Sequence, residues 1–391
     1  MRRHYILRFR IWTVRLAFAL ARRLPIRRRV VLATAHSSAI RGNLAAIRDE
    51  LERRRLPIPI VTLIHDPRPG WRGRLLGVTR GIRAAHLMAP SAVFVVDSHY
   101  LPLYAIERRP GTTIVQTWHA CGAIKKIGYS VLDKRFGVDE SVTSIIRLHT
   151  NYSLVLAGSQ RAVDQYVDAF RQPAELFVTD LGIPRTDILV RPDRHGPVIA
   201  AIRARYRLPE GKRVILYAPT FRGTSMTAAR HPEDLDIGLL AENLGDDHIL
   251  LLRLHPAVRS SHELPRSAAG FAIDVTDWPE INELMLVSDV LVTDYSSVIF
   301  EFALLGRPMV FFAPDTEDYD DERGFYFDFR TGVPGPVFET SGEVAAFIRA
   351  GRFDLDRVGS FAREWFDVAD GHAAERFVDR IVLPAVSGGG A

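Results

Sequence analysis

Short apolar runs alternate along this chain with longer stretches in which apolar residues return every three or four positions. Runs of the first kind, bounded by turn-forming residues, read as buried strands, and stretches of the second kind as helices. Their regular alternation predicts parallel α/β sheets. In the first half the expected strands are Val30–Ala33, Ile60–Leu63, Val93–Val96, Thr113–Thr117 and Leu154–Ala157. Helices are expected near Gly42–Arg54, Arg72–Leu87 and Gln160–Phe170. Around Pro184–Pro197 the composition turns to Pro, Arg, Asp and Gly, which marks a linker. A second series of strands follows: Arg213–Tyr217, His248–Arg253, Val290–Thr293 and Pro308–Phe312. The tail from Ser341 to about Val382 reads as helical, and Ser387–Ala391 as a frayed end. Two successive α/β domains imply a cleft faced by the C-termini of their strands. Ligands of such sheets bind outside those ends, so residues just after strands carry the functional expectations.

At 391 residues, with 47% hydrophobic and 25% charged positions, the chain is long enough for two domains, each with its own core. A single cysteine, Cys121, excludes an intramolecular disulfide framework and a Cys-rich zinc site, and fits a reducing compartment. The net charge of +5 conceals an asymmetry: residues 1–48 hold twelve Arg and no Asp, Glu or Lys, which leaves −7 on the rest. The basicity is thus local to the N-terminus. A nucleic-acid binder carries its basic patch on the folded domain, so no nucleic-acid partner is expected.

From Tyr5 to Leu24 apolar and basic residues interleave, with Arg8, Arg15 and Arg22 recurring every seven positions along one helical stripe. Arg10 and Arg23 fall off that stripe. The run Ile11–Ala21 is too short to span a bilayer and is interrupted by Arg15, which also splits any signal-peptide core. The expectation is an amphipathic helix on an anionic membrane surface, with Trp12 and Phe18 at the acyl boundary. A helix merely packed on the first domain is the alternative.

Four segments carry candidate chemistry. In TTIVQTWHACGAIKKIGYS, His119 follows a strand exit and can accept a proton near neutral pH. The small residues Ala120, Cys121, Gly122 and Ala123 allow backbone to approach a ligand, and Lys125 and Lys126 suit a phosphate-bearing substrate. In DVLVTDYSSVIFEFALLGRP, Asp294, Ser296 and Ser297 open and cap a helix whose start suits phosphate. Glu301 lies one turn deeper on the face of Ser297, placed to grip ribose hydroxyls. An ordinary capped helix with a surface Glu explains that segment equally well. In LLLRLHP, Arg253, Leu254 and His255 leave a strand with cation and imidazole on one face, suited to pyrophosphate. In YAPTFR, Pro219, Thr220 and nearby main-chain N–H groups are placed to meet a nucleotide. Arg185, before the linker, is either an anion contact or part of an interdomain ion pair.

Walker-A, GxSxG and HExxH patterns are absent. The two Asp-Leu-Asp triplets, Asp234–Asp236 and Asp354–Asp356, follow no buried strand, so neither is expected to hold a metal.

Together, in this order, the four segments resemble the CDP-glycerol glycerophosphotransferase family of teichoic-acid synthesis, from about Val30 to Gly371. The resemblance implies a GT-B architecture: an acceptor domain at 29–190 and a nucleotide domain at 191–358, both Rossmann-like. Residues 1–28 would be the membrane-surface segment and 359–391 closing helices. It implies His119 as catalytic base and His255 with Arg253 on the pyrophosphate. Pro219 and Thr220 would contact the cytidine nucleotide, Ser296, Ser297 and Glu301 phosphate and ribose, and Arg185 the donor. The donor is expected to be CDP-glycerol or CDP-ribitol, and the acceptor a prenyl-diphosphate-linked glycan at the cytoplasmic face of the cell membrane. The loop His119-Ala120-Cys121-Gly122-Ala123 is closer to shorter, primase-like members, and the chain lacks the long N-terminal extension common in polymerases. Both favour adding one or a few units.

The expected reaction is direct displacement at phosphorus with release of CMP, and no cofactor or resident metal. Arg253, His255 and the helix start would take a cation's place. Two rivals stay open on the sequence: a GT-B glycosyltransferase using a nucleotide sugar, and a non-catalytic membrane component of an envelope assembly complex.

Overall fold

A computed structural model describes the chain except for residues 1, 36, 66–69, 133–139, 223–231, 233, 256–257, 259–262 and 389–391. Its strands form two sheets. The first contains β1 (Arg27–Thr34), β2 (Ile60–Ile64), β3 (Ser91–Val96), β4 (Thr113–Gln116), β5 (Leu154–Leu156) and β6 (Phe177–Val178) in the order β2-β1-β3-β4-β5-β6. The second contains β7 (Arg213–Tyr217), β8 (His248–Leu252), β9 (Ala272–Asp274), β10 (Val290–Thr293), β11 (Met309–Phe312) and β12 (Val337–Phe338) in the order β12-β11-β10-β7-β8-β9. Every pairing in both is parallel. β3, β8, β10 and β11 are buried along their whole length, because helices cover both faces of a parallel sheet. That is why they read as continuous apolar runs.

The strand orders locate the ligand-binding edges. In the first sheet the direction of winding reverses between β1 and β3, and in the second between β7 and β10. The second order is that of dinucleotide-binding sheets. At such a reversal the flanking connections leave to opposite faces and open a crevice outside the strand C-termini.

By internal contacts one compact unit comprises Met1–His119, Val138–Asp187 and Asp367–Ala391, and the other Ala120–Gly137 and Ile188–Phe366. The expected linker is built of tight 3-10 turns, Pro184–Val190 and Pro192–Arg194, followed by the helix His195–Tyr206. From Asp367 onward the tail belongs to the first unit. Asp187 accepts the N–H groups of Ala373 and Ala374 at 2.9 and 2.8 Å, and Arg54 pairs with Asp379. Its helical course continues through Leu383–Ser387, so the chain is still helical where fraying was expected to begin; residues 389–391 lie outside the described residues. The strands β6, β9 and β12, all at sheet edges, had no counterpart in the sequence reading, being too short to show a period.

The N-terminal segment forms helix α1 (Arg2–Ala21), packed against helix α3 (Gly70–Met88). Here the expectation needs correction. Ile11, Val14, Phe18 and Ala21 are buried, while Tyr5, Phe9, Trp12, Leu16 and Leu20 are exposed. At about 100° per residue these two apolar stripes lie on nearly opposite faces. The helix is therefore not amphipathic in the simple sense, and Phe18 belongs to the protein core rather than to an acyl boundary. Val14 sits over Gly81 of α3, where an added Cβ would come within 3.1 Å of its methyl group. Two acidic residues of the Asp-Leu-Asp triplets cap helices: Asp236 accepts the N–H of Leu239 and Asp354 that of Arg357.

Candidate active site

In the first unit β4 ends at Gln116, and the chain turns sharply before His119. Trp118 sits in the left-handed region at φ 52°, a conformation that costs a non-glycine residue about 1–3 kcal/mol and persists only where surroundings enforce it. Three side-chain bonds enforce it here. Gln116 Oε1 accepts the Trp118 N–H at 2.9 Å, while Asn43 Nδ2 donates to the carbonyls of Thr117 and Trp118 at 3.1 and 3.0 Å. Gln116 is itself held by Nε2 bonds to the Ser98 carbonyl and the Tyr152 hydroxyl, at 3.1 and 3.0 Å. The Trp118 ring packs edge-on against Phe170 at 5.1 Å and close to His149.

This anchorage presents His119, half-buried, with Nδ1 3.2 Å from the carbonyl oxygen of Asp97. A carbonyl only accepts, so Nδ1 carries the proton and Nε2 is left basic. Asp97 follows β3, at the reversal in the first sheet. Burial pushes its carboxyl up to about 6 against the opposing pull of Ser98, Thr34 and Arg185. Arg185 donates from NH1 to the His119 carbonyl at 2.6 Å, and its main-chain N–H bonds Asn43 Oδ1 at 2.9 Å. The structure thus brings Arg185 to the histidine within one unit. Asn43 comes from the first turn of helix α2 (Gly42–Arg53) and ties the two loops together.

The residues after His119 need a second correction. Cys121, Gly122 and Ala123 are buried in the second unit. A Cβ on Gly122 would meet the Trp365 ring at 2.7 Å and Phe300 at 2.9 Å. The missing side chain accommodates protein, not ligand. Ala120 is half-buried, unlike the other three.

In the second unit the site residues gather at the reversal between β7 and β10. Buried Asp294, directly after β10, accepts both the N–H and the hydroxyl of Thr220 at 2.8 and 2.7 Å. Thr220, expected to meet a nucleotide, thus has its N–H and hydroxyl proton taken, which leaves hydroxyl lone pairs there. Asp294 Oδ2 also pairs with Arg222 at 2.8 Å, and Arg222 forks onto Asp315 at 2.7 and 3.0 Å. Arg253 is buried, donating to the carbonyls of Leu254 and Thr276 at 3.1 and 2.7 Å. The His255 ring lies 4.9 Å from that of Phe221. Pro256 lies outside the described residues.

The expected serine cap does not form. The helix Val298–Ala303 is short, and its N-cap Ser297 has helical dihedrals with no side-chain cap bond. Its hydroxyl is thus not committed as a cap. Ser296 Oγ approaches the Val298 N–H at 3.5 Å. Glu301 is buried, which removes the surface-Glu alternative.

Asn43, Gln116, Asp97, Arg222, Asp315 and Asp294 hold this geometry. Gln116, Arg222 and Asp294 fall inside quoted segments. Asn43, Gln116, Asp97 and Asp315 carry no local signal of what they bind.

The sequence profile of the family described as CDP-glycerol:poly(glycerophosphate) glycerophosphotransferase matches residues 16–383. The chain is 35% identical over 370 residues to the teichoic acid poly(ribitol-phosphate) polymerase of Bacillus spizizenii, covering 94% of this chain and 58% of that one. It is 34% identical over 368 residues to the teichoic acid ribitol-phosphate primase of the same organism, covering 93% and 94%. To the teichoic acid poly(glycerol phosphate) polymerase of Bacillus subtilis it is 36% identical over 269 residues, covering 67% and 35%. The chain thus spans little more than half of the first polymerase and nearly all of the primase. A solved structure of the wall teichoic acid polymerase TagF matches the fold with a TM-score of 0.79 at 22% identity, covering 99% of this chain and 97% of that one. Profile and relatives agree with the ordered segments read from the sequence, and the chain belongs to the CDP-glycerol:poly(glycerophosphate) glycerophosphotransferase family.

Proposed function

We propose that this protein transfers glycerol phosphate from CDP-glycerol to a hydroxyl of a prenyl-diphosphate-linked teichoic-acid or related envelope acceptor, releasing CMP. The observation that carries the proposal is the tautomer of His119, fixed by the Asp97 carbonyl, which makes Nε2 the unprotonated ring nitrogen. The acceptor hydroxyl passes its proton to Nε2, and its oxygen attacks the phosphorus that bears glycerol. The bond from that phosphorus to the bridging oxygen breaks, and CMP departs with the electron pair. The second unit holds the donor: cytidine and phosphate at the β7–β10 reversal, with Pro219, Thr220, Ser296, Ser297 and Glu301 lining it and His255 beside it. Ribitol is the second reading of the donor alcohol, favoured by two relatives that each match over more than 90% of this chain and are ribitol-phosphate enzymes. CMP release with CDP-glycerol, CDP-ribitol and a UDP-sugar as separate donors tests the proposal; release from the sugar nucleotide alone would replace it with a glycosyltransferase.

A lipid-linked acceptor supports reading the enzyme as peripheral to the cytoplasmic face of the cell membrane, docked through α1. No helix among the described residues is long and apolar enough to cross a membrane. Tyr5, Phe9, Trp12, Leu16 and Leu20 form an exposed stripe on α1, and Leu75, Leu76 and Ile82 of α3 are exposed as well. Arg8, Arg15 and Arg22 are exposed beside the stripe. Outward apolar residues flanked by arginines suit the interface of an anionic bilayer.

A further inference from the structure

The second unit holds a cationic, aromatic cluster that the sequence reading did not assemble. Three cations surround one ring: Lys125 Nζ lies 5.8 Å from the Tyr319 centroid, and the guanidinium carbons of Arg222 and Arg323 each lie 5.2 Å from it. Tyr319 stacks on Tyr295 at 4.1 Å, and Arg323 also covers Phe221 at 5.3 Å. The segment carrying Lys125 is pinned alongside 324–326 by Lys126 N–H to the Gly324 carbonyl and Tyr326 N–H to the Ile124 carbonyl, both 2.9 Å.

Charge is unevenly matched across these groups. Arg222 is neutralised by Asp294 and Asp315. Arg323 is buried, with Glu322 as an acidic neighbour. Lys125 makes no ion pair among the described residues, and the buried Tyr319 hydroxyl has no hydrogen-bond partner among them. Burial pushes the Lys125 ammonium down to about 7; Arg323 and Arg222 push the same way, and Asp294 opposes them. An ammonium held in this way gains most from an arriving anion.

We infer that Lys125, Arg323 and the Tyr319 hydroxyl form a phosphate-binding corner of the second unit that takes oxygens of the donor's pyrophosphate. This rests on the reading of that unit as the donor site. Through Phe221 the corner adjoins His255, and through Asp294 it adjoins Thr220. Its cations therefore stand beside the residues assigned to the nucleotide. Lys125 supplies charge and donors, Arg323 further positive charge, and Tyr319 one neutral donor.

Inorganic pyrophosphate is the probe, because it tests the corner whatever nucleotide the enzyme prefers. Calorimetry should show Lys125→Gln binding pyrophosphate at least about tenfold more weakly than wild type, with Lys125→Arg largely restoring affinity. A second measurement needs no destabilising variant. The chain has four lysines, Lys125, Lys126, Lys134 and Lys212, so the ¹³Cε resonances of labelled lysine are few enough to assign. One of them should titrate near neutrality and move to higher pH when pyrophosphate is added. Wild-type protein that does not bind pyrophosphate, or a Lys125 titration that pyrophosphate leaves unchanged, overturns the inference. CDP-glycerol binding is measured in parallel. Its absence with pyrophosphate binding intact would fault the donor assignment and not the corner.

Discussion

The imidazole of His119 is oriented by a main-chain group: its Nδ1 donates to the carbonyl of Asp97 at 3.2 Å. A carbonyl cannot take up a proton in the working pH range, so it fixes the tautomer without competing for the proton that Nε2 must carry. His119→Ala should therefore lower CMP release by about 10²–10⁴-fold or more. CDP-glycerol affinity, measured by calorimetry, should stay near the wild-type value. His255→Ala should lower both affinity and turnover, because its proposed contact exists before the transition state. Full activity in either variant would make that histidine structural, and loss of donor binding in His119→Ala alone would exchange their roles.

Asp97 offers a test by pH. Its folded-state value of about 6 lies above the usual aspartate range because of burial, so the folded protein binds a proton more tightly than the unfolded chain. Stability should fall as pH rises from about 4 to about 6, and the cost should persist above that. Asp97→Asn removes the cost while keeping the carbonyl that orients His119. Denaturant titration at pH 7.5 should show this variant more stable by on the order of 1–3 kcal/mol, with the gain shrinking toward pH 4. A variant less stable than wild type at pH 7.5 would show that the carboxylate's bonds outweigh its desolvation.

Glu301 is buried at the base of the short helix after Ser297. Glu301→Gln should weaken CMP and CDP-glycerol alike, by roughly ten- to a hundredfold, the worth of about 1.5–3 kcal/mol for a charge-assisted bond to ribose. Unchanged affinity combined with a lowered melting temperature would assign it to packing instead.

For the membrane contact, removing α1 is the wrong experiment, since Ile11, Val14, Phe18 and Ala21 are part of the core. Trp12→Glu with Leu16→Glu touches only the exposed stripe. The double variant should keep its fold and its turnover on a soluble acceptor, yet sediment far less with anionic vesicles. Wild-type binding should weaken in high salt, because exposed charges are screened over ~10 Å at 0.1 M. Equal sedimentation of variant and wild type would place the contact elsewhere.

The sequence by itself determined the buried strands and most of the helices around them. β7 and β10 fall at the expected residues because a strand covered on both faces is apolar over nearly all its length, and that is a local property. It also determined that His119, Thr220, Asp294 and His255 follow strands, where parallel sheets place ligands. Tertiary structure decided what those residues touch. Asn43 holds a carbonyl 74 positions away, and no periodicity in either segment encodes that bond. Gly122 is small because Trp365 and Phe300 occupy the space beside it. The apolar residues of α1 divide into a core stripe and a surface stripe only once α3 covers one side. Composition and period report how much apolar surface a segment carries; which neighbour covers it, and which buried charge is left to meet a ligand, depends on packing between segments distant in the chain.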